Sequence, residues 1–313
     1  MKQLGLLSLS FTLGIFFNAG TYVVQPSYGM TAGSFPSQTT VLPEPLDPTF
    51  FANSSFQDLF PGASVLHIES RNFLEESLLT TYAQGDVLIA AIQGEPGLAD
   101  LIVNFPKLNE LERIQVMQRV FKLQVKTSGL PAPELFLDST AKKSTFFQFD
   151  PAQPGPGKVI LNPIKLFADA NPHAALLFLI HETRHSYQFQ LGFGGINSVD
   201  ATAYQLGFFA QKQLFDQKIK VSFCDFLTLN QEYEAFLFGN YVLAVLTNGV
   251  VKTADMGTFA SQYLIHSGLR LDLPKLARET DSQNLLNAFN ELEKAQYEES
   301  RKALVRFYLA NDL

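Results

Sequence analysis

A single cysteine, Cys224, stands in 313 residues, so no internal disulfide can staple this chain. It lies in Phe223-Cys224-Asp225-Phe226-Leu227, a context that suits a buried apolar thiol better than a reactive one. Tryptophan is absent, whereas phenylalanine is abundant at 29 residues. Positive charge is also scarce. With 23 Lys and Arg against 30 Asp and Glu, the net charge is −7, which argues against nucleic acid or an anionic membrane surface as a partner. No apolar run reaches the ~20 residues that a membrane span needs. What remains is 46 % hydrophobic, and about 250 residues can bury a substantial core without disulfides.

The chain opens Met1-Lys2-Gln3, then Leu4 to Phe17 is mostly apolar, and Asn18-Ala19-Gly20-Thr21 follows. One positive charge, a short apolar stretch and small residues predict a secretory signal peptide over 1–21, hence an exported protein, periplasmic or secreted, with no stable membrane span after cleavage. Residues 22–62 carry Pro26, Pro36, Pro43, Pro45, Pro48 and Pro61 among Ser, Thr and Gly, and read as an extended segment. Residues 63–313 read as a single domain. Helices are expected over 70–92, 107–127, 172–191, 199–216, 223–247, 255–267 and 283–310. Three strands are expected within 134–138, 144–149 and 158–162. The fold class expected is therefore α+β, mainly helical, with a small sheet placed before the helix at 172–191.

That helix carries the chemistry. Residues 181–185 read His181-Glu182-Thr183-Arg184-His185. At 3.6 residues per turn, positions i and i+4 share one face, so both imidazoles can grip one cation from one side. Glu182 stands on the adjoining strip, where it can accept a proton from a water polarised by that cation. Asn171 and Pro172 predict the helix start, and Ala174 to Ile180 is apolar all round, which marks a core-embedded segment. Burying two histidines and a glutamate directly after it is costly unless something satisfies them, and a metal ion does so.

This motif resembles that of the zincin metallopeptidases, and the resemblance spans roughly residues 107–245. It implies a backing helix, a small sheet and then the motif helix, one Zn2+ per chain, and a protein or peptide as substrate. It also implies that a strand, 158–162 or 144–149, edges the cleft and holds the substrate by main-chain hydrogen bonds. A third ligand is needed. The metzincin pattern would place a histidine at position 191, where this chain has Leu191. A carboxylate from a later helix is then expected, as in gluzincin-like or aspzincin-like enzymes. Two segments share the pattern acid-x-x-Ala-x-x-x-Gly: Asp200 to Gly207 and Glu232 to Gly239. Asp200, nearer along the chain, is the first choice, with Glu232 or Glu234 as alternatives. The unchosen acid can still bond to a ligating histidine. Glu182 is assigned as general base, and Tyr204, Tyr263 and His266 are candidates for the oxyanion or substrate donor. Two other functions suit the same residues: an exported binding or scaffold protein whose metal site is structural or degenerate, and a secreted effector protease of narrow specificity.

Overall fold

The computed structural model describes residues 51–169, 171–219, 221–251 and 272–295. The signal peptide, residues 22–50, the helix expected at 255–267 and the end of the helix expected at 283–310 lie outside the described residues. Among those described, the fold is mainly helical with one small sheet, the α+β class expected from the sequence.

Helix α1 (Ser54–Leu59) starts at Asn53, whose side chain accepts from Phe56 N, and it buries Phe56. Asn53 also bonds Asp225 through its backbone N and its side-chain amide, both at 2.7 Å. Residues 51–62 thus belong to the folded domain, whose start was expected at 63; a capping Asn and one buried Phe outweigh the proline-rich composition around them. The long helices follow as α2 (Arg71–Gly94), the short α3 (Leu98–Val103) and α4 (Glu110–Ser128). α4 opens on a reciprocal cap between Asn109 and Glu112 and closes at Gly129, whose φ of 70° an L side chain resists.

Strands β1 (Glu134–Leu137), β2 (Thr145–Gln148) and β3 (Lys158–Leu161) form one sheet in the order β1-β3-β2. β3 is central, parallel to β1 and antiparallel to β2, with Phe147 opposite Val159. β2 alternates buried and half-buried positions, so Thr145 and Phe147 point inward. After α5 (Pro163–Phe167) comes α6 (Ala174–Phe193), the helix of the motif. It begins two residues later than expected, with His173 at the N-cap, because Asn171 turns the chain by accepting His173 N and His173 Nε2 reaches Ile102 O at 3.1 Å.

α7 (Val199–Asp216) has the expected bounds, opened by the Ser198 cap. The helix expected at 223–247 is two: α8 (Phe223–Leu227) and α9 (Asn230–Leu246). Thr228 and Leu229 interrupt it because Leu229 takes an extended conformation, and Val65 N bonds Thr228 O while Asn230 N bonds Ala63 O. α10 (Leu273–Glu279) and helical residues 282–295 complete the described chain.

α6 lies in the middle, against α4, α7 and α9, with β2 and β3 on its remaining side. Ala174 to Ser186 are all buried. Gly239 permits the close crossing of α9: a Cβ there would sit 3.3 Å from the Leu177 side chain and 3.6 Å from its carbonyl oxygen. No described helix is long and apolar enough to cross a membrane.

Candidate metal centre

His181 and His185 point the same way from α6, and their Nε2 atoms stand 2.9 Å apart. The carboxylate that meets them comes from α9. Glu232 Oε2 lies 3.3 Å from His181 Nε2, and Oε1 lies 3.3 Å from His185 Nε2. All three side chains are buried. Among the described residues, neither Glu232 oxygen receives a hydrogen bond of proper geometry. A buried carboxylate left in that state is costly, and a cation at the point facing all three groups would remove the cost. The spacing agrees: four ligands about 2.0–2.1 Å from a tetrahedral zinc ion stand about 3.3 Å from one another. Two imidazoles and a carboxylate are also a common zinc donor set.

Glu182 belongs to the same cluster, with an oxygen within 4.8 Å of a ligand atom of each histidine. Its surroundings differ from those of Glu232. Its Oε1 accepts from Thr145 Oγ1 at 2.9 Å, and Oε2 has no hydrogen-bond partner among the described residues. Burial lifts its pKa to about 7, with the nearby His185, Thr145 and Lys143 working against that lift. Burial also acts on Glu232, but His185 and His181 outweigh it and hold this carboxyl well below the usual carboxylate range. One carboxylate is thus kept ionised beside the imidazoles, and its neighbour is poised to bind and release a proton near neutrality.

Asp200, the first choice from the sequence, is placed elsewhere. It sits in the first turn of α7, where burial and the charges of Glu234 and Glu76 raise its pKa to about 6. The glycine loop before α7 does not fold it back onto the histidines; it brings it towards Arg184 and Thr80. Glu234 also faces away from the imidazoles. It accepts from Arg184 Nε at 3.0 Å and Nη2 at 2.7 Å, and from Thr81 Oγ1 at 2.7 Å. The Arg184 guanidinium is itself sandwiched by Tyr187 and Phe238, 4.1 and 4.3 Å from its carbon. Tyr204 is buried against Phe73, with the Arg184–Glu234 pair and Asp200 among its charged neighbours. Tyr263 and His266 lie outside the described residues.

Three participants escaped sequence reasoning. Thr145 touches Glu182 because inward alternation on β2 puts it there. Lys143, half-buried just before β2, is brought down to about 8 by burial, while the charge of Glu182 acts in the opposite direction. Gln188, one turn beyond His185, bonds its Nδ1 at 2.8 Å. Only Gln188 left a signal, the i+3 spacing on a helix already identified.

The walls are aromatic. The Phe236 ring lies 4.1 Å from that of His181, and Phe147 and Phe208 lie 6.2 and 6.0 Å from that of His185. A cavity of about 90 Å3 opens on another face of α6, between Gln84, Gln124, Arg184 and Tyr187, and none of the four clustered residues lines it. His67 pairs with Glu69 away from the cluster, and Cys224 is buried 3.7 Å from Glu293. Compared with protein-family models, curated proteins and solved structures, the chain matches none.

Proposed function

We propose that this chain is an exported zinc-dependent peptidase of the zincin kind, in which His181, His185 and Glu232 hold the ion and Glu182 is the general base. The observation that carries this reading is the buried Glu232 carboxylate, 3.3 Å from each of two imidazole nitrogens that face each other and with no well-formed hydrogen bond among the described residues. A zinc ion held there would lower the pKa of a water and polarise a carbonyl. Glu182 Oε2, free of other bonds, takes a proton from the attacking water and passes it to the departing amine. Thr145 fixes the other oxygen of that carboxylate, so the free one keeps its aim. Lys143 places a positive charge near Glu182, and that charge favours the ionised base.

The sheet order supports β2 as the substrate-holding edge. β3 is paired on both sides, which leaves 158–162 no free edge, whereas among the described strands β2 is at an edge, lying on α6. An extended peptide paired with β2 would run beside the residue that touches Glu182.

The burial of all four residues favours a second reading, a closed structural centre in a binding or scaffold protein. One experiment separates the two. Zinc-loaded protein and its Glu182→Gln variant are incubated with a peptide library, with and without chelator. Chelator-sensitive cleavage by the wild type alone supports the peptidase. One zinc per chain in both proteins, with cleavage in neither, supports the structural centre and ends the peptidase reading.

A further inference from the structure

The two histidines are not equally supported, and the difference can be traced atom by atom. Arg184 Nε lies 3.0 Å from each oxygen of Glu234, and Thr81 Oγ1 donates to one of them. A carboxylate paired with an arginine can only accept. Gln188 places one end of its amide 2.6 Å from Glu234 Oε2 and 2.9 Å from Gln231 O. Both are acceptors, so that end must be the NH2 group. The other end is then the carbonyl, which also only accepts, and it lies 2.8 Å from His185 Nδ1. The hydrogen of that contact must therefore reside on Nδ1. An imidazole that carries one hydrogen on Nδ1 has its lone pair on Nε2, the atom facing Glu232 and His181. Among the described residues His181 has no such guide, since its Nδ1 is buried without a hydrogen-bond partner there.

We propose that Gln188, oriented by Glu234 and Arg184, is a positioning residue that fixes His185 in the form protonated at Nδ1, so that Nε2 is presented to the cation as a donor. This rests on the metal site proposed above, but the orientation itself is a property of the protein without metal. These four side chains and Thr81 are all buried, and the five span α2, α6 and α9, so the packing of three helices defines which nitrogen can ligate. It also assigns Arg184 and Glu234 a role in the centre although neither touches an imidazole. Outer hydrogen bonds of this kind typically govern metal affinity by 10–100-fold.

The test uses 15N-labelled full-length protein, free of zinc, at a pH above the titration of its histidines. Long-range 1H–15N correlations report which ring nitrogen bears the hydrogen. Wild type is expected to show His185 as the Nδ1–H form. Gln188→Leu is expected to move it to the Nε2–H form and to weaken zinc binding by roughly 10–100-fold. Gln188→Glu, whose carboxyl oxygen accepts from His185 Nδ1 in either protonation state, is expected to restore the Nδ1–H form. An Nε2–H form in the wild type overturns the proposal, and that measurement requires no variant to fold. So does a Gln188→Leu protein whose His185 and zinc affinity are both unchanged. If the tautomer follows Gln188 but zinc does not bind the wild type, the relay stands and the metal reading falls.

Discussion

Asp200 and Glu232 carry the same local pattern, but only Glu232 reaches the imidazoles, so the two acids should respond differently to substitution if Glu232 is the third ligand. Structural zinc sites bind with about 10–16 kcal/mol shared among four ligands, so one ligand accounts for roughly 3–4 kcal/mol, about two to three decades of affinity. Glu232→Gln keeps the size of the side chain and removes its charge. At zinc about 1,000-fold above the wild-type Kd, binding stabilises the fold by about 4 kcal/mol. If Kd rises 100- to 1,000-fold, the same zinc stabilises Glu232→Gln by only about 0.4–1.4 kcal/mol. For a domain of this size each kcal/mol moves Tm by about 2–4 °C. A zinc-induced rise of roughly 8–16 °C should therefore shrink to a few degrees or less. Asp200→Asn should keep the whole rise, since that carboxylate faces Thr80 and Arg184. Thermal melts with and without zinc, paired with competition against a chromophoric chelator, measure both quantities. A full rise in Glu232→Gln together with its loss in Asp200→Asn would refute the geometry on which the site is built.

Glu182→Gln should bind zinc as the wild type does and lose chelator-sensitive cleavage altogether. Without zinc it should also gain stability at high pH. Burial raises the Glu182 pKa from 4.5 to about 7, so the folded state keeps a proton that the unfolded state releases, and wild-type stability drains away as pH climbs through that window. By urea melts the variant should match the wild type below about pH 4.5 and exceed it by roughly 3 kcal/mol above about pH 7; parallel profiles would contradict the burial argument. Thr145→Val removes a hydrogen bond that favours the ionised base, and such bonds are worth roughly 1.5–3 kcal/mol. The acid limb of kcat/KM should shift to higher pH by about one to two units, and an unmoved limb would detach Thr145 from the base. Gly157→Ala places a Cβ 2.4 Å from the Phe147 ring at a φ of 70°, and should cost about 2–4 kcal/mol in chemical denaturation.

Much of the fold could be read from the residues because local chemistry dictates it. Ser198 begins α7 at the expected position, and Gly129 and the alternation at 145–148 place an end and a strand within a residue or so. The break at Thr228–Leu229 carries no glycine or proline and is imposed by bridging to residues 63–65, so tertiary pairing overrides a continuous helical pattern. The choice between Asp200 and Glu232 failed for a similar reason. Each pattern ends on a glycine seven residues on, and the glycine marks which helix comes close. A Cβ at Gly207 would strike the Gln231 side chain on α9, whereas Gly239 abuts Leu177 on α6. The stripe of Glu232, Phe236 and Gly239 thus faces the motif helix, as the ring of Phe236 against His181 also attests. Nothing in either eight-residue pattern specifies its neighbour.

The burial of the centre bears directly on the proposed chemistry. A base that is shut from water has its pKa near neutrality because of that burial, so the feature that tunes Glu182 also blocks a polypeptide from it. Both requirements can hold only if part of the wall moves. The wall on the His185 side includes Phe147, carried by the edge strand β2 and packed under the loop that ends at Gly157. That strand carries Thr145 as well, so displacing β2 would open the site and alter the base together. A peptide that paired with the outer edge of β2 would therefore couple binding to the protonation of Glu182. Peptides long enough to pair with several β2 residues should then be cleaved with higher kcat, not merely lower KM, than dipeptides bearing the same scissile bond. Equal kcat across that length series would locate the entrance elsewhere.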